Sequence, residues 1–222
     1  EDLRAMVLNA TGPWLCPGAD VGNMAARAQG GPARPAPTKR GDYGKMVGDF
    51  VPAVYNMRKP SIAAANGMCA GGGLSLIMAC DIRICADDAK FSAVFVRRGL
   101  IPDIGATFFL PRLVGTANAA LLAFTGDIID ARQAERMGLV TQVVPSAQLM
   151  PAAIDIAGRI AAGPPITIEL AKKAIRLGLA SNHLESQVVI ELGLQRICNA
   201  TEDHKEGTLS YVEKRQPKFQ GR

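Results

Sequence analysis

The stretch S-I-A-A-A-N-G-M-C-A-G-G-G-L, residues 61–74, limits the possible folds more than any other part of the chain. Residues 61–66 form a short, continuous apolar run of the kind that becomes a buried strand. Gly67 follows, then three successive glycines, Gly71, Gly72 and Gly73, ahead of the helix-forming residues 74–79. A strand, a glycine turn and a helix in so few residues require close backbone approach, and two readings meet that requirement. In one, the glycines turn N–H groups outward to a ligand at a positive helix end. In the other, they only let strand and helix pack tightly. The segment is not a P-loop, because no Lys-Ser/Thr pair follows, and it lacks the context of a G-x-G-x-x-G dinucleotide motif.

The alternation of strand and helix continues on both sides. Residues 5–9 (AMVLN), 81–85 (DIRIC) and 140–144 (VTQVV) also read as short buried strands. Residues 42–57, 106–114 and 117–124 read as helices, and Asp130 caps a helix over 131–137 that Gly138 ends. Strands separated by helices imply an α/β fold with a largely parallel sheet. Beyond Pro145 the chain turns helical, over 152–162, 166–179, 184–199 and 206–215, with Asp203 and Glu206 spaced as a capping box. The division is therefore a site-bearing core over 1–145 and a helical region over 146–222, whose apolar positions suit oligomerisation. Residues 30–41 (GGPARPAPTKRG) read as a mobile loop.

Composition narrows the function. The 222 residues carry a formal charge of +5, and the basic residues are scattered, with concentrations at 34–40, 172–176 and 214–218. Aromatics make up only 5% of the chain, and basic residues do not interleave with them, so a small phosphorylated ligand fits better than a nucleic acid. Five cysteines without a C-x-x-C pair point to reduced thiols in a cytosolic type of compartment. His183 and His204 lie far apart in polar, helical contexts, which argues for surface residues and against a zinc site or a Ser-His-Asp triad. No apolar run approaches the roughly 20 residues of a membrane span, and the first residues, Glu1-Asp2-Leu3-Arg4, do not form a secretory signal.

Several segments in order carry a resemblance to a known family. They are L-C-P-G-A-D (15–20), the glycine segment itself, F-S-A-V-F-V-R-R-G-L-I-P-D-I-G (91–105), F-T-G-D-I-I-D-A-R-Q-A-E-R-M-G-L-V (124–140) and E-D-H-K-E-G-T-L-S-Y-V-E-K-R (202–215). Their sequence and spacing resemble the crotonase superfamily of enoyl-CoA hydratases and isomerases. The resemblance implies a spiral of ββα turns with a helical C-terminal trimerisation region, hence a homotrimer or homohexamer. It implies an acyl-CoA thioester as substrate, with coenzyme A part of the substrate rather than a separate cofactor, and neither a nucleic acid nor a membrane as partner. The Ala19 and Gly72 amides would form an oxyanion hole for the thioester oxygen. Cys16, Gly18 and Asp20 would lie beside the coenzyme, with Gly71 and Phe95 at the substrate. Lys214 matches a basic position that reaches a CoA phosphate from a neighbouring subunit. Members of the family normally have about 45 or more residues ahead of the segment that begins here at Glu1. The usual N-terminal strands are thus lacking from the chain as read, and a mitochondrial matrix location stands beside a cytoplasmic one.

The departures from the family pattern concern acid and base. Hydratases of the family carry two glutamates, at positions occupied here by Ser75 and Phe95. Single-carboxylate isomerases place an aspartate in the G-L-x-P-D-x-G loop, where Asp103 stands. Adding water needs one group to hold and deprotonate it and another to protonate carbon, whereas one carboxylate can lift a proton and return it elsewhere. The expected reaction is therefore a double-bond shift with Asp103 as proton shuttle. The alternatives are a hydratase with atypical acid and base, or a non-catalytic acyl-CoA binder. Asp103 also suits an N-cap of the helix starting near Gly105, and Ser75 suits a space-filling helix residue. Arg97 and Arg98 suit either anion binding or a solvated pair. Met46, Met57, Met68 and Met78 read as core or acyl-pocket lining, and Trp14 as packing.

Overall fold

The computed structural model describes residues 3–31 and 43–222. Most of the loop expected over 30–41, Asp42 and the side chain of Met46 lie outside the described residues. The chain runs β1 (Met6–Leu8), α1 (Val21–Ala28), α2 (Tyr43–Asn56), β2 (Ser61–Ala65), β3 (Met68–Ala70), α3 (Gly72–Met78), β4 (Ile82–Ala86) and β5 (Lys90–Ser92). It continues through a 3₁₀ turn over Val94–Arg98 to α4 (Ala106–Thr125), β6 (Ile128–Asp130), α5 (Ala131–Met137), β7 (Gln142–Val144) and α6 (Leu149–Ala161). The last elements are α7 (Pro165–Ala180), α8 (Leu184–Asn199) and α9 (Glu202–Val212). Two compact units result: one comprises Leu8–Asn56 and Ile62–Ala153, the other Glu1–Val7, Met57–Ser61 and Ile154–Arg222. The division falls inside α6, not at residue 145, and draws two short N-terminal pieces to the helical unit.

The first unit is a ββα spiral. β2 pairs parallel with β4 and β4 parallel with β7 in one sheet. In the other, β3 pairs parallel with β5, and β5 antiparallel with β6. The β2-β3-α3 and β4-β5-α4 turns each place one strand in each sheet before a helix leads on, whereas in the last turn α5 stands between β6 and β7. Small residues make the inner sheet possible: all five residues of β2, S-I-A-A-A, are buried. Leu74, Ile77, Phe91, Leu110 and Leu139 fill the core around it, and each such fully buried side chain contributes roughly 1.5–3 kcal/mol. At the turn between β6 and α5, Asp130 accepts the Gln133 amide in a capping box, and Gly138 closes the helix at φ 83°, as the sequence predicts.

α4 joins the two helices read over 106–114 and 117–124, with a non-helical Gly115 (φ 76°, ψ 162°) at their junction. By length and composition this helix is apolar enough to cross a membrane, contrary to the reading that no run approaches that length. One face of it packs into the core, burying Phe109, Leu110, Val114, Ala119 and Leu122, while Leu121 and Phe124 stay exposed.

In the second unit, the Glu169 carboxylate of α7 binds Arg58 at 2.7 Å and Lys59 at 2.5 Å. Lys172, read as part of a basic surface cluster, is buried and donates from Nζ to the Lys59 carbonyl. The capping box expected from Asp203 and Glu206 does not form. Thr201 caps α9 by accepting the His204 amide, and the helix begins four residues earlier than expected. Asp203 lies inside it, buried, its carboxylate accepting the Gln220 and Gly221 amides of the returning C-terminal segment. That long-range satisfaction outcompetes the local cap.

Candidate active site

The glycine segments are brought together by backbone pairing. Leu15 N donates to Asn66 O, Cys16 N to Met68 O, and Ala70 N to Cys16 O at 3.0 Å, so residues 15–16 run as an extra strand beside β3. The contact tolerates no side chain. A Cβ on Gly73 would stand 2.1 Å from the Cys16 carbonyl oxygen, and one on Gly67 would stand 1.9 Å from that of Pro13. These two glycines serve tight packing. A Cβ on Gly71 or Gly72 would meet only side-chain ends and the Gly18 Cα, none closer than 3.3 Å, so these two glycines are not needed for that packing.

All three glycines, Gly71, Gly72 and Gly73, line an open pocket of about 380 Å³. Cys16, Gly18, Ala19, Gly71 and Gly72 form one wall. Val94, Phe95, Leu100, Asp103 and Ile104 form another, with Met24 and Phe50 completing the apolar lining. Several backbone amides of the lining, those of Gly18 and Gly73 among them, have no backbone acceptor among the described residues. The Gly71 amide is engaged by Ser92 O and the Ala70 amide by Cys16 O. The amides of Ala19 and of Gly72, the first residue of α3, have no hydrogen-bond partner among the described residues.

Asp103 is the single carboxylate among the described residues of the lining. It keeps contact with solvent, so its desolvation is partial. Burial pushes its carboxyl above the ordinary value, and a hydrogen bond from its own backbone amide draws it part of the way back. The capping reading of Asp103 fails: the N-cap of α4 is Gly105, with no side-chain cap bond. The Asp103 backbone carbonyl instead accepts the Ala106 amide at 2.9 Å. The next residue, Ile104, has φ 52°, a left-handed backbone that costs a β-branched residue of order 1–3 kcal/mol. Phe95, where a second acid would stand in a two-glutamate site, is buried and keeps that side of the pocket apolar.

Other expected residues sit elsewhere. Asp20 does not line the pocket; its carboxylate caps α1, accepting the Gly22 and Asn23 amides. Lys214 follows α9 in the helical unit, at φ 55°. Arg97 pairs with Asp127 at 3.1 Å, while Arg98 reaches the pocket. Met78 is core, whereas Met57 and Met68 are half-buried and outside the pocket. Trp14, expected to pack, is 58% exposed. His183 and His204 are exposed, and no cluster of metal-ligating side chains occurs among the described residues. Burial pushes the Cys85 thiol up to about 12, so it is inert at neutral pH. Sequence reasoning missed Met24, Phe50, Leu100 and Ile104 as lining, because apolar residues carry no motif.

A ββα spiral with a glycine turn at the wall of an apolar pocket defines a crotonase-fold protein. The enoyl-CoA hydratase/isomerase family model matches residues 1–222, and the chain belongs to that family. It is 34% identical over 222 residues to the 1,2-epoxyphenylacetyl-CoA isomerase of Escherichia coli, covering all of this chain and 83% of that protein. It is 42% identical over 178 residues to the crotonyl-CoA hydratase of Syntrophomonas wolfei, covering 80% and 68%. The crystal structure of an enoyl-CoA hydratase from Bacillus anthracis superposes with a TM-score of 0.87 at 33% identity, covering 99% of this chain and 82% of that one.

Proposed function

We propose that this acyl-CoA enzyme shifts a double bond in an enoyl-CoA thioester, with Asp103 as the proton shuttle. The observation that carries the reading is a pocket whose lining combines one carboxylate, that of Asp103, with the unengaged amides of Ala19 and Gly72. With the thioester oxygen against the Ala19 and Gly72 N–H groups, the Asp103 carboxylate takes a proton from C2 of a 3-enoyl thioester. The C–H electron pair moves into the conjugated system, and negative charge collects on the thioester oxygen. Each preorganised donor there is worth about 3 kcal/mol in the transition state. Asp103 then returns the proton to C4, the electrons close a C2=C3 double bond, and the carboxylate is regenerated. Partial burial keeps the acid strength of Asp103 nearer the working range of a shuttle. Phe95 supplies no second acid and keeps its side of the pocket apolar.

A second reading, hydration of a 2-enoyl thioester, is favoured by the name of the crotonyl-CoA hydratase relative, while the isomerase relative supports the first. Product analysis separates them. Supplied with a 3-enoyl-CoA, the protein should yield the 2-enoyl-CoA faster than a 3-hydroxyacyl-CoA forms. Ready hydration of crotonyl-CoA without any double-bond movement would favour the second reading instead.

A further inference from the structure

Ser75 stands where a two-glutamate site would carry an acid, yet it does not line the pocket. It is fully buried in α3, and its hydroxyl donates to the Asp103 carbonyl at 3.1 Å, across 28 residues of chain. A hydroxyl committed as a donor to a carbonyl is no base. Its effect falls on the loop that carries Asp103. That loop is held in an uncommon conformation, with left-handed backbone at Ile104 (φ 52°) and again at Gly105 (φ 86°). Such geometry persists only where surrounding contacts over-determine it.

Four contacts do so here. The Asp103 carbonyl accepts both the Ser75 hydroxyl and the Ala106 amide, which uses both of its lone pairs. The Ile104 side chain sits against Gly72: a Cβ built there would meet its Cδ1 at 3.3 Å. Gly105 is closed over by the Phe109 ring, 2.8 Å from where its own Cβ would be. Gly72 and Ser75 are three residues apart in α3, hence on one face of the helix. One short helix therefore carries an open amide and, one turn on, the hydroxyl that fixes the acid-bearing loop.

We propose that Ser75 is a positioning residue: its hydroxyl pins the Asp103–Gly105 turn and so holds the Asp103 carboxylate in register with the Gly72 amide. This rests on the proton-shuttle reading of Asp103. Small displacements of a reacting group cost rate steeply, so Ser75→Ala should lower kcat for a 3-enoyl-CoA about tenfold with KM within about twofold. Ser75→Thr, which keeps the hydroxyl, should recover most of the rate. The deciding measurement adds Ser75→Ala to Asp103→Asn. Because Ser75 acts through the carboxylate, the residual turnover of Asp103→Asn should not fall further.

The same tenfold loss in both backgrounds would show a general structural effect and overturn the inference. Wild-type kcat in Ser75→Ala, with Asp103→Asn strongly impaired, would overturn it while leaving the shuttle intact. Full activity in Asp103→Asn would remove both. Should Ser75→Ala not fold, Ser75→Cys keeps the volume with only a weak donor, and its kcat in the two backgrounds decides in the same way.

Discussion

Replacing Gly73 by alanine tests whether the glycine triplet divides its labour as the geometry indicates. The added methyl would lie 2.1 Å from the Cys16 oxygen, 2.7 Å from its Cβ and 2.8 Å from its carbonyl carbon. Two of those atoms are backbone, so no rotamer change relieves the clash. To reach the 3.0 Å that real contacts keep, strand and helix must part by about 1 Å in an interior packed as tightly as a crystal. Overpacking of this kind costs typically 1–3 kcal/mol. Parting the segments also weakens the Ala70–Cys16 bond, worth about 1 kcal/mol. The sum is about 3 kcal/mol, which lowers Tm by roughly 6–12 °C in a chain of this size. Gly72→Ala meets only the end of the Ile104 side chain, at 3.3 Å. It should cost under about 1 kcal/mol while placing a methyl beside the proposed oxyanion donor. Thermal denaturation followed by far-UV circular dichroism, with calorimetric titration of an enoyl-CoA, separates the two. Gly73→Ala should lose stability, and Gly72→Ala should keep its fold and lose affinity. Equal Tm values for Gly73→Ala and wild type would refute the packing argument.

Three further outcomes follow from the same structure. The raised Asp103 carboxyl holds its proton more tightly folded than unfolded, so its stabilising contribution is full below the unfolded pKa and lost as pH rises through the folded one. Asp103→Asn should therefore not lower Tm at neutral pH, and wild-type turnover should fall on the acid side with a midpoint above 3.8; a pH–rate profile and a melt check both. For Glu169, burial raises the carboxyl, but the Lys59 and Arg58 hydrogen bonds outweigh it and the net shift is downward. Its stabilisation is thus present at neutral pH and lost as pH falls through the folded value. Glu169→Gln should cost about 1 kcal/mol at neutral pH and nothing in strong acid, as urea titrations at both pH values would report. Finally, Ile175, Leu179, Val189 and Leu192 are all more than half exposed, more apolar surface than a lone helical unit leaves open. Analytical ultracentrifugation at micromolar concentration should find a trimer or hexamer, and a clean monomer would contradict that.

Much of this was legible in the residues, for reasons that differ by element. β2, β4 and β7 announce themselves as apolar runs, and α5 by its Asp130 cap and Gly138 terminator, because those signals are local. β3, β5 and β6 are no shorter than β1 and β7, at three residues each, but they border glycines and charged residues rather than lying in apolar runs, and they pair with one another in the second sheet. The pocket walls carrying Ala19, Gly72 and Asp103 were readable from ordered motifs. The exposure of Trp14 and the burial of Asp203 were not, since each depends on where distant segments end; the Asp20 cap of α1 is local, to the Gly22 and Asn23 amides, but lies in the segment whose motif points to a ligand. The Ser75–Asp103 bond belongs to the same class: 28 residues of intervening chain hide it, and the left-handed Ile104 that it helps hold breaks the rule by which a β-branched residue would be read.

The central claim is that Asp103 moves the proton, and isotope exchange tests it most directly. Incubated in D₂O with a 3-enoyl-CoA, the wild-type protein should place deuterium in substrate and product while converting one to the other. Asp103→Asn, which keeps the shape but cannot accept a proton, should bind the thioester with unchanged affinity. Both exchange and turnover should fall by about 10²–10⁴-fold. Exchange and turnover at wild-type rates in Asp103→Asn would contradict the account.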